Sequence, residues 1–529
     1  NRAALGRWGF DAGGHLAYVA EVLAGRLPLA DAGWETYQPP LYYLMAAGWL
    51  RLLGRTAMDA GAAALLPVLG GLAAALQCAL VWAALCRLFP EQPRRAVLGT
   101  VLAAFLPAQL YLGHYVTNEG WLALWSSAAL CLTLHLLGRD RLSARACLAL
   151  GAVLGLAMLT KFSALLTVAA VVAALAGRLI VQRERAPGIW LRTVGAVLLG
   201  CLLVCGWHYA RVTARFGRPL VGNWDRDVGA AWWQDPGYRT AGDLLRFGRS
   251  LTAPLWSAFH SVPDALYSTL WGDGLLGGTA LLAARPPWDL ELMAAGALLA
   301  LVPSLGLLLG LGAALARLVR APSAAWFLLL GVLGATGFAL AAMCLRLPFY
   351  AQAKAFYGLA ALVPLAALGG WGLDLLAGRG AGGLAVLRRL AVGVLVGVWA
   401  LASLRTYWVD REALRDPAPA VAAALDPGGW LARAQAAQAA GQPREAATLA
   451  RRAVELSPDH PFAWGLLGAT LAGAGEPEAA VEAWREALRV SPADARVHAA
   501  LAQAYESAGR APQAAAHRAW AERLAAHGR

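Results

Sequence analysis

The sequence predicts an all-α protein: a polytopic bundle of transmembrane helices followed by a water-soluble helical solenoid. Three observations carry this. Hydrophobic residues make up 59% of the 529 residues and charged residues only 15%, against about 45–50% and about 25% in ordinary soluble domains. Long apolar runs recur from about residue 61 to about residue 405, and charge becomes dense only after about residue 410. The end of the chain repeats itself with a period of 34 residues, Gly441, Gly475 and Gly509 marking the step.

These shifts divide the chain into four parts. Residues 1–60 read as a first loop with surface helices, residues 61–405 as the membrane domain with a large loop at about 208–290, residues 406–426 as a linker, and residues 427–529 as the repeat domain. The chain opens at Asn1 in a polar, loop-like stretch with no leader pattern. A membrane helix upstream of it is the simplest expectation.

A membrane helix needs about 20 apolar residues. Ten candidates are centred near residues 74, 104, 129, 153, 171, 199, 303, 334, 365 and 396. Those at 153 and 171 are short and separated only by Thr160 and Lys161, which predicts one tight hairpin. Gly14 to Ala24 and Ala241 to Ser257 read as amphipathic helices lying on the membrane surface. The long loop carries Trp224, Trp232, Trp233, Trp256, Trp271 and Trp288, and tryptophan favours the membrane–water interface.

The formal net charge of +13 would suggest nucleic acid in a soluble protein. Here the excess sits in short loops between apolar runs, where basic residues set topology. Arg87, Arg94, Arg95, Arg139, Arg141, Arg145, Arg178, Arg183, Arg185, Arg192, Arg317, Arg320, Arg379, Arg388 and Arg389 fall at alternate helix ends. By the positive-inside rule those ends are cytoplasmic. Residues 1–60, His114 to Gly120, the region of Lys161, the long loop, Arg346 to Lys354 and everything after about residue 406 are then external. All seven cysteines lie within apolar runs without metal-type spacing, so they read as small buried hydrophobes; Cys201 and Cys205 share a helical face.

In the tail, Ala446, Ala480 and Ala514 are 34 apart, as are Ala453, Ala487 and Ala521, Pro458 and Pro492, and Trp430 and Trp464. Small residues where paired helices cross, with a proline at the repeat end, resemble the tetratricopeptide repeat. About three repeats are present, the least that stacks stably. Such a stack presents a peptide-binding surface, or serves as a structural cap or oligomerisation module.

Ionisable groups at membrane depth are costly and mark sites. Asp11 stands in Gly9-Phe10-Asp11-Ala12-Gly13-Gly14-His15, and Glu119 opens an apolar helix in Val116-Thr117-Asn118-Glu119-Gly120. Both acids also suit helix N-termini, Asp11 as an N-cap. Of the 45 basic residues, only Lys161 and Lys354 are lysine. Both lie at external ends of apolar segments, where a compact ammonium binds phosphate or snorkels. His15, His114 and His208 share that face without metal spacing, and Arg211 follows a span end in Trp207-His208-Tyr209-Ala210-Arg211.

Asp11 followed by Gln38-Pro39-Pro40-Leu41-Tyr42-Tyr43 resembles the first external loop of GT-C-type membrane glycosyltransferases, the group of the protein O-mannosyltransferases and the lipid A aminoarabinose transferases. Glu119 occupies the place of that group's second acidic residue. Leu159-Thr160-Lys161-Phe162-Ser163 and Tyr209-Ala210-Arg211 are also similar. The resemblance spans residues 5–405 and is firm over the first 220. It implies transfer of a sugar from a polyprenyl-phosphate donor on the external face. Asp11 and Glu119 are then catalytic. Lys161, Lys354 and Arg211 bind the donor phosphate, and His15, Tyr37, Gln38, Tyr42 and His114 line the acceptor pocket. The resemblance leaves open a divalent cation and its ligands, because Ala12 follows Asp11 where the group has an acidic pair. The repeats would hold a protein partner or acceptor. A membrane-anchored scaffold without catalysis, or a ligase or polymerase of lipid-linked polysaccharide, remain the alternatives; a transporter fits less well, since the unusual charges sit at one face and not at the midplane.

Overall fold

The computed structural model describes residues 8–222, 241–255, 257–278, 286–346, 353–378, 380, 382–408, 427–456, 458, 460–490 and 494–526. Among these residues every regular element is helical, as the sequence predicts. Eight helical stretches are long and apolar enough to cross a membrane: Ala60–Leu88, Glu119–Leu137, Phe162–Val181, Pro187–Phe216, Leu290–Arg320, Ala324–Leu345, Ala355–Ala377 and Gly383–Tyr407. The chain is a multi-pass integral membrane protein.

Two of the ten expected spans form shorter helices than the other eight. The run near residue 104 breaks into Pro93–Ala104 and Pro107–Leu112. Pro107 lacks the amide a continuing helix needs, and it drives Leu106 into the extended region, φ −61° and ψ 118°. The helix Ala144–Thr160 ends at Lys161, whose backbone is extended at φ −158°. The tight hairpin expected here does not form. Ala144–Thr160 packs along Ala196–Phe216 and Glu119–Leu137 instead of along its neighbour Leu165–Val181.

Small residues let these helices approach. A Cβ placed on Gly151 would lie 2.1 Å from the Val197 carbonyl oxygen, and one on Gly372 would lie 1.7 Å from that of Gly306. Close backbone contact of this kind replaces the hydrophobic drive that lipid removes. Polar ties reinforce it. Buried Arg95 pairs with Asp374 at 3.1 Å and lies 4.8 Å from the Trp371 ring centroid. Arg178 caps the far end of Glu119–Leu137, donating to the Leu136 and Leu137 carbonyls at 3.1 and 3.2 Å. Glu119 and the capping arginine therefore stand at opposite ends of one helix about 28 Å long.

The surface helix expected over Ala241 to Ser257 is instead two short turns, Ala241–Leu245 and Arg249–Thr252. Gly248 separates them at φ 134°, a conformation that does not continue a helix. Trp271 and Trp288 do not face the protein surface. They are buried, packing 5.6 Å from Trp399 and 5.0 Å from Tyr407 respectively. Trp224, Trp232, Trp233 and Trp256 lie outside the described residues, as do Arg379, Pro492 and most of the linker.

The tail forms three helix pairs, Pro427–Ala439 with Pro443–Leu456, Pro461–Gly473 with Pro477–Val490, and Ala495–Ser507 with Ala511–Ala526. The glycine period has a plain cause. Gly441, Gly475 and Gly509 take φ 73°, 81° and 70°, ending each first helix in a left-handed residue. The next amide then bonds back five residues each time: Gln442 to Ala437, Glu476 to Leu471 and Arg510 to Tyr505, at 2.8–2.9 Å.

Candidate active site

Asp11 precedes the helix Ala12–Leu23, but its side chain does not cap it. The residue sits at φ 57°, the left-handed region that aspartate tolerates better than most. One carboxylate oxygen accepts a hydrogen bond from the Trp34 indole at 3.0 Å, and the group is exposed. The capping explanation for this acid therefore fails, and the carboxylate stands pinned and open.

Four other ionisable groups gather with it. Glu119 begins Glu119–Leu137 and is buried against Lys161, with which it forms a close ion pair. Asn118 fixes this junction by donating to the Thr160 carbonyl at 3.2 Å. Lys354 is 2% exposed and has no carboxylate within ion-pair distance among the described residues. Its ammonium lies 3.6 Å from the Phe10 ring centroid and 5.6 Å from those of Phe356 and Tyr357. Lys161 lies 5.0 Å from the same Tyr357 ring. The two lysines, 193 positions apart in the sequence, thus share one aromatic platform. Burial pulls Lys354 down to about 8, while Asp11 and Glu119 oppose that shift.

Glu35 is the member that sequence reading missed. It is 3% exposed and packs on the bare face of Gly14, where a Cβ would lie 2.7 Å from its Cγ. Burial, then the charge of Asp11, push its carboxyl up to about 8. The signal lay beside the quoted motif: an acid in the aromatic run Trp34-Glu35-Thr36-Tyr37. His15 stands 4.0 Å from Glu35 and bonds the Tyr43 hydroxyl at 2.8 Å. Burial lowers it to about 4, so the ring is neutral near pH 7. Tyr37 accepts from the Gln38 amide at 2.8 Å, and Tyr42 packs edge-on to His15 at 6.2 Å.

Asp273 was also unforeseen. It accepts from the Tyr115 hydroxyl, from the Trp288 indole at 2.8 Å and from the Gly277 amide at 3.3 Å. This cluster folds the segment around Gly278 onto Phe10, where a Cβ on Gly278 would lie 2.8 Å from the Phe10 ring. His114 belongs to this aromatic cluster, 5.4 Å from Trp288. Arg211 lies elsewhere. It donates to the Leu27 carbonyl at 3.0 Å, and among the described residues its other terminal nitrogen is buried without a partner and no contact joins it to Lys161 or Lys354. Among the described residues no three His, Cys, Asp or Glu side chains form a metal-like cluster, so no step is assigned to a cation.

A groove of about 350 Å³ opens beside Lys354. Leu266, Leu270, Leu333, Leu340 and Leu359 line it, and it reaches Ala355. Its walls are almost wholly apolar.

Residues 37–207 match the dolichyl-phosphate-mannose-protein mannosyltransferase family, and residues 437–503 match the tetratricopeptide repeat. The protein is a membrane glycosyltransferase. The matched range of this glycosyltransferase holds Tyr37, Gln38, Tyr42, His114, Glu119 and Lys161; Asp11, His15, Arg211 and Lys354 lie outside it. Among solved structures the chain is similar to ArnT from Cupriavidus metallidurans in the apo state, with 17% identity, 95% of this chain and 78% of that chain covered, and a TM-score of 0.46. It is also similar to an apo oligosaccharyltransferase from Archaeoglobus fulgidus, with 14% identity, coverages of 78% and 55%, and a TM-score of 0.45. A protein named MamA aligns over 27% of this chain and 80% of its own, with 20% identity and a TM-score of 0.20. No curated protein sequence matches the chain.

Proposed function

We propose that the enzyme moves a sugar from a polyprenyl-phosphate donor to an acceptor hydroxyl on the extracytoplasmic side. The observation that carries this reading is the buried Lys354, which has no carboxylate at ion-pair distance among the described residues, beside an exposed and pinned Asp11. A buried ammonium without a counter-ion is costly. A donor phosphate would supply the missing charge.

In the proposed reaction Asp11 takes the proton of the acceptor hydroxyl. The hydroxyl oxygen bonds to the anomeric carbon as the bond from that carbon to the phosphate oxygen breaks. Polyprenyl phosphate leaves with the electron pair, and Lys354 offsets its developing charge. Lys161, held by Glu119, adds a second positive charge across Tyr357. Glu35 keeps its proton near pH 7, so it adds no anion beside Asp11. The apolar groove beside Ala355 suits the first isoprene units of the donor. ArnT is described bound to undecaprenyl phosphate, a ligand of the class proposed here. His15, Tyr42 and His114 border the acceptor side, and Arg211 serves the approach of the acceptor or headgroup from the Leu27 loop.

The sidedness rests on charge. The arginine-rich helix ends lie opposite Glu119 and Lys161, and the positive-inside rule makes them cytoplasmic. The active site and the repeats are then extracytoplasmic, where the repeats hold a protein partner or acceptor. The test is release of labelled sugar from a panel of polyprenyl-phosphate-sugar donors by the protein in liposomes. Turnover of at least one donor is expected. No turnover across the panel by folded protein would contradict the reading.

A further inference from the structure

The proposed base shares its carboxylate with an exposed ring. Trp34 donates its indole N–H to one oxygen of Asp11 at 3.0 Å, and the residue is 47% exposed. The second oxygen of Asp11 has no hydrogen-bond partner among the described residues. An indole N–H points along the plane of its ring, so the ring meets the carboxylate edge-on and its face stays bare. A flat ligand laid on that face turns its rim toward the open oxygen.

The ring is fixed by what lies beneath and behind it. Its neighbour Glu35 is buried where Trp34 is exposed. Both side chains lie over Gly14, where a Cβ would come within 2.7 Å of the Glu35 Cγ and 3.2 Å of the Trp34 Cδ1. A residue without a Cβ lets the loop settle this close to the helix Ala12–Leu23. The Thr36 hydroxyl closes the turn onto the Gly33 carbonyl at 2.9 Å. From behind, two arginines of Ala196–Phe216 tie the loop down: Arg211 holds the Leu27 carbonyl at 3.0 Å, and Arg215 pairs with Asp31 at 2.7 Å. A ring held this way loses little freedom when a ligand covers it.

A tryptophan that anchors a protein at the membrane margin turns its N–H to headgroups or water. Trp34 gives its N–H to Asp11 instead. It also stands apart from the rings around Lys354, sharing no ring contact with Phe10, Phe356 or Tyr357 among the described residues. Phe10 and Lys354 thus mark the donor side of Asp11, and Trp34 marks the other side.

We propose that Trp34 is the binding platform for the acceptor, and that the acceptor hydroxyl belongs to a pyranose sugar. A pyranose carries C–H groups on its faces and hydroxyls around its rim. The electron-rich face of the indole attracts such polarised C–H groups, while a rim hydroxyl meets the open oxygen of Asp11. A serine or threonine side chain has the hydroxyl but no flat apolar face to cover the ring. In the transfer the rim oxygen bonds to the anomeric carbon of the donor, its proton goes to Asp11, and polyprenyl phosphate leaves with the electron pair. The product is a lengthened saccharide. That the sugar is the acceptor rests on the transferase reading; that it binds on Trp34 does not.

The test reads binding first and turnover second. Full-length protein in lipid nanodiscs, with undecaprenyl phosphate present, is probed by saturation-transfer difference NMR with methyl hexopyranosides, N-acetylthreoninamide and N-acetyltyrosinamide. At least one glycoside is expected to receive saturation, chiefly at the C–H protons of one face. Trp34→Ala abolishes that signal, and Trp34→Phe, which keeps a ring, retains most of it. With that glycoside as acceptor, Trp34→Ala raises the acceptor KM about tenfold or more. Trp34→Phe leaves KM near the wild-type value but lowers kcat about tenfold, because the carboxylate loses the bond that aims it. No glycoside bound by the folded wild type, binding unchanged in Trp34→Ala, or either amino-acid amide bound in place of the glycosides would each overturn the proposal. Glycoside binding that depends on Trp34, without turnover of any donor, would support the platform and overturn the transferase reading.

Discussion

The ammonium of Lys354 lies 3.6 Å from the ring centroid of Phe10, the residue immediately before Asp11. One contact thus holds the proposed phosphate-binding ammonium and the proposed base in register, although they are far apart in the sequence. Lys354→Met should keep the fold, since a linear apolar chain suits that buried ring cluster, but lower turnover about a hundredfold or more. Donor turnover at saturating acceptor checks this.

The same lysine sets a pH limit. Its pKa, lowered to about 8, leaves it charged near neutrality and neutral above that value. Turnover should therefore fall as pH rises through about 8. Lys354→Arg should be slower at neutral pH yet flat across that range, because a guanidinium does not titrate there. A pH profile of kcat/KM for the donor, which reports groups of the free enzyme, is the measurement for both forms. An alkaline limb that persists in Lys354→Arg would assign it to another group.

Glu35 gives a stability prediction of definite sign. Its carboxyl is raised from 4.5 to about 8, so the folded form binds more protons between these values and loses stability as pH rises through them. Glu35→Gln carries no such titration. The wild-type Tm should decline from acid toward pH of about 8, and the variant's should decline less. Thermal unfolding monitored by tryptophan fluorescence across that range tests it.

Away from the site, Arg95 and Asp374 form a buried pair between Pro93–Ala104 and Leu362–Ala377. Removing one partner leaves the other uncompensated. Asp374→Ala should cost about 3–5 kcal/mol, read as a lower Tm with the donor affinity of the surviving folded fraction unchanged.

Much of this was legible in the sequence because lipid makes charge expensive. Asp11, Glu119, Lys161 and Lys354 stood out as rare ionisable groups among apolar runs, and the structure gathers them. The glycine period of the tail was legible because a left-handed helix end demands that residue. Glu35 was not, since its meaning depends on Gly14, which lies across a helix and a loop. Asp273 was hidden for a similar reason: its partners Tyr115 and Trp288 come from distant segments. Composition also did not show that Trp271 and Trp288 are buried within the protein, Trp288 because its indole N–H finds the buried Asp273 carboxylate. The short turns at Ala241–Leu245 and Arg249–Thr252 read as one helix because hydrophobic spacing does not register the backbone angle of Gly248.

The most direct test of the central claim compares wild type with Asp11→Asn in a single-turnover assay using labelled polyprenyl-phosphate sugar and saturating acceptor. The account predicts that the variant binds donor as well as wild type but transfers sugar about a hundred- to ten-thousandfold more slowly. Transfer at the wild-type rate by Asp11→Asn would contradict it.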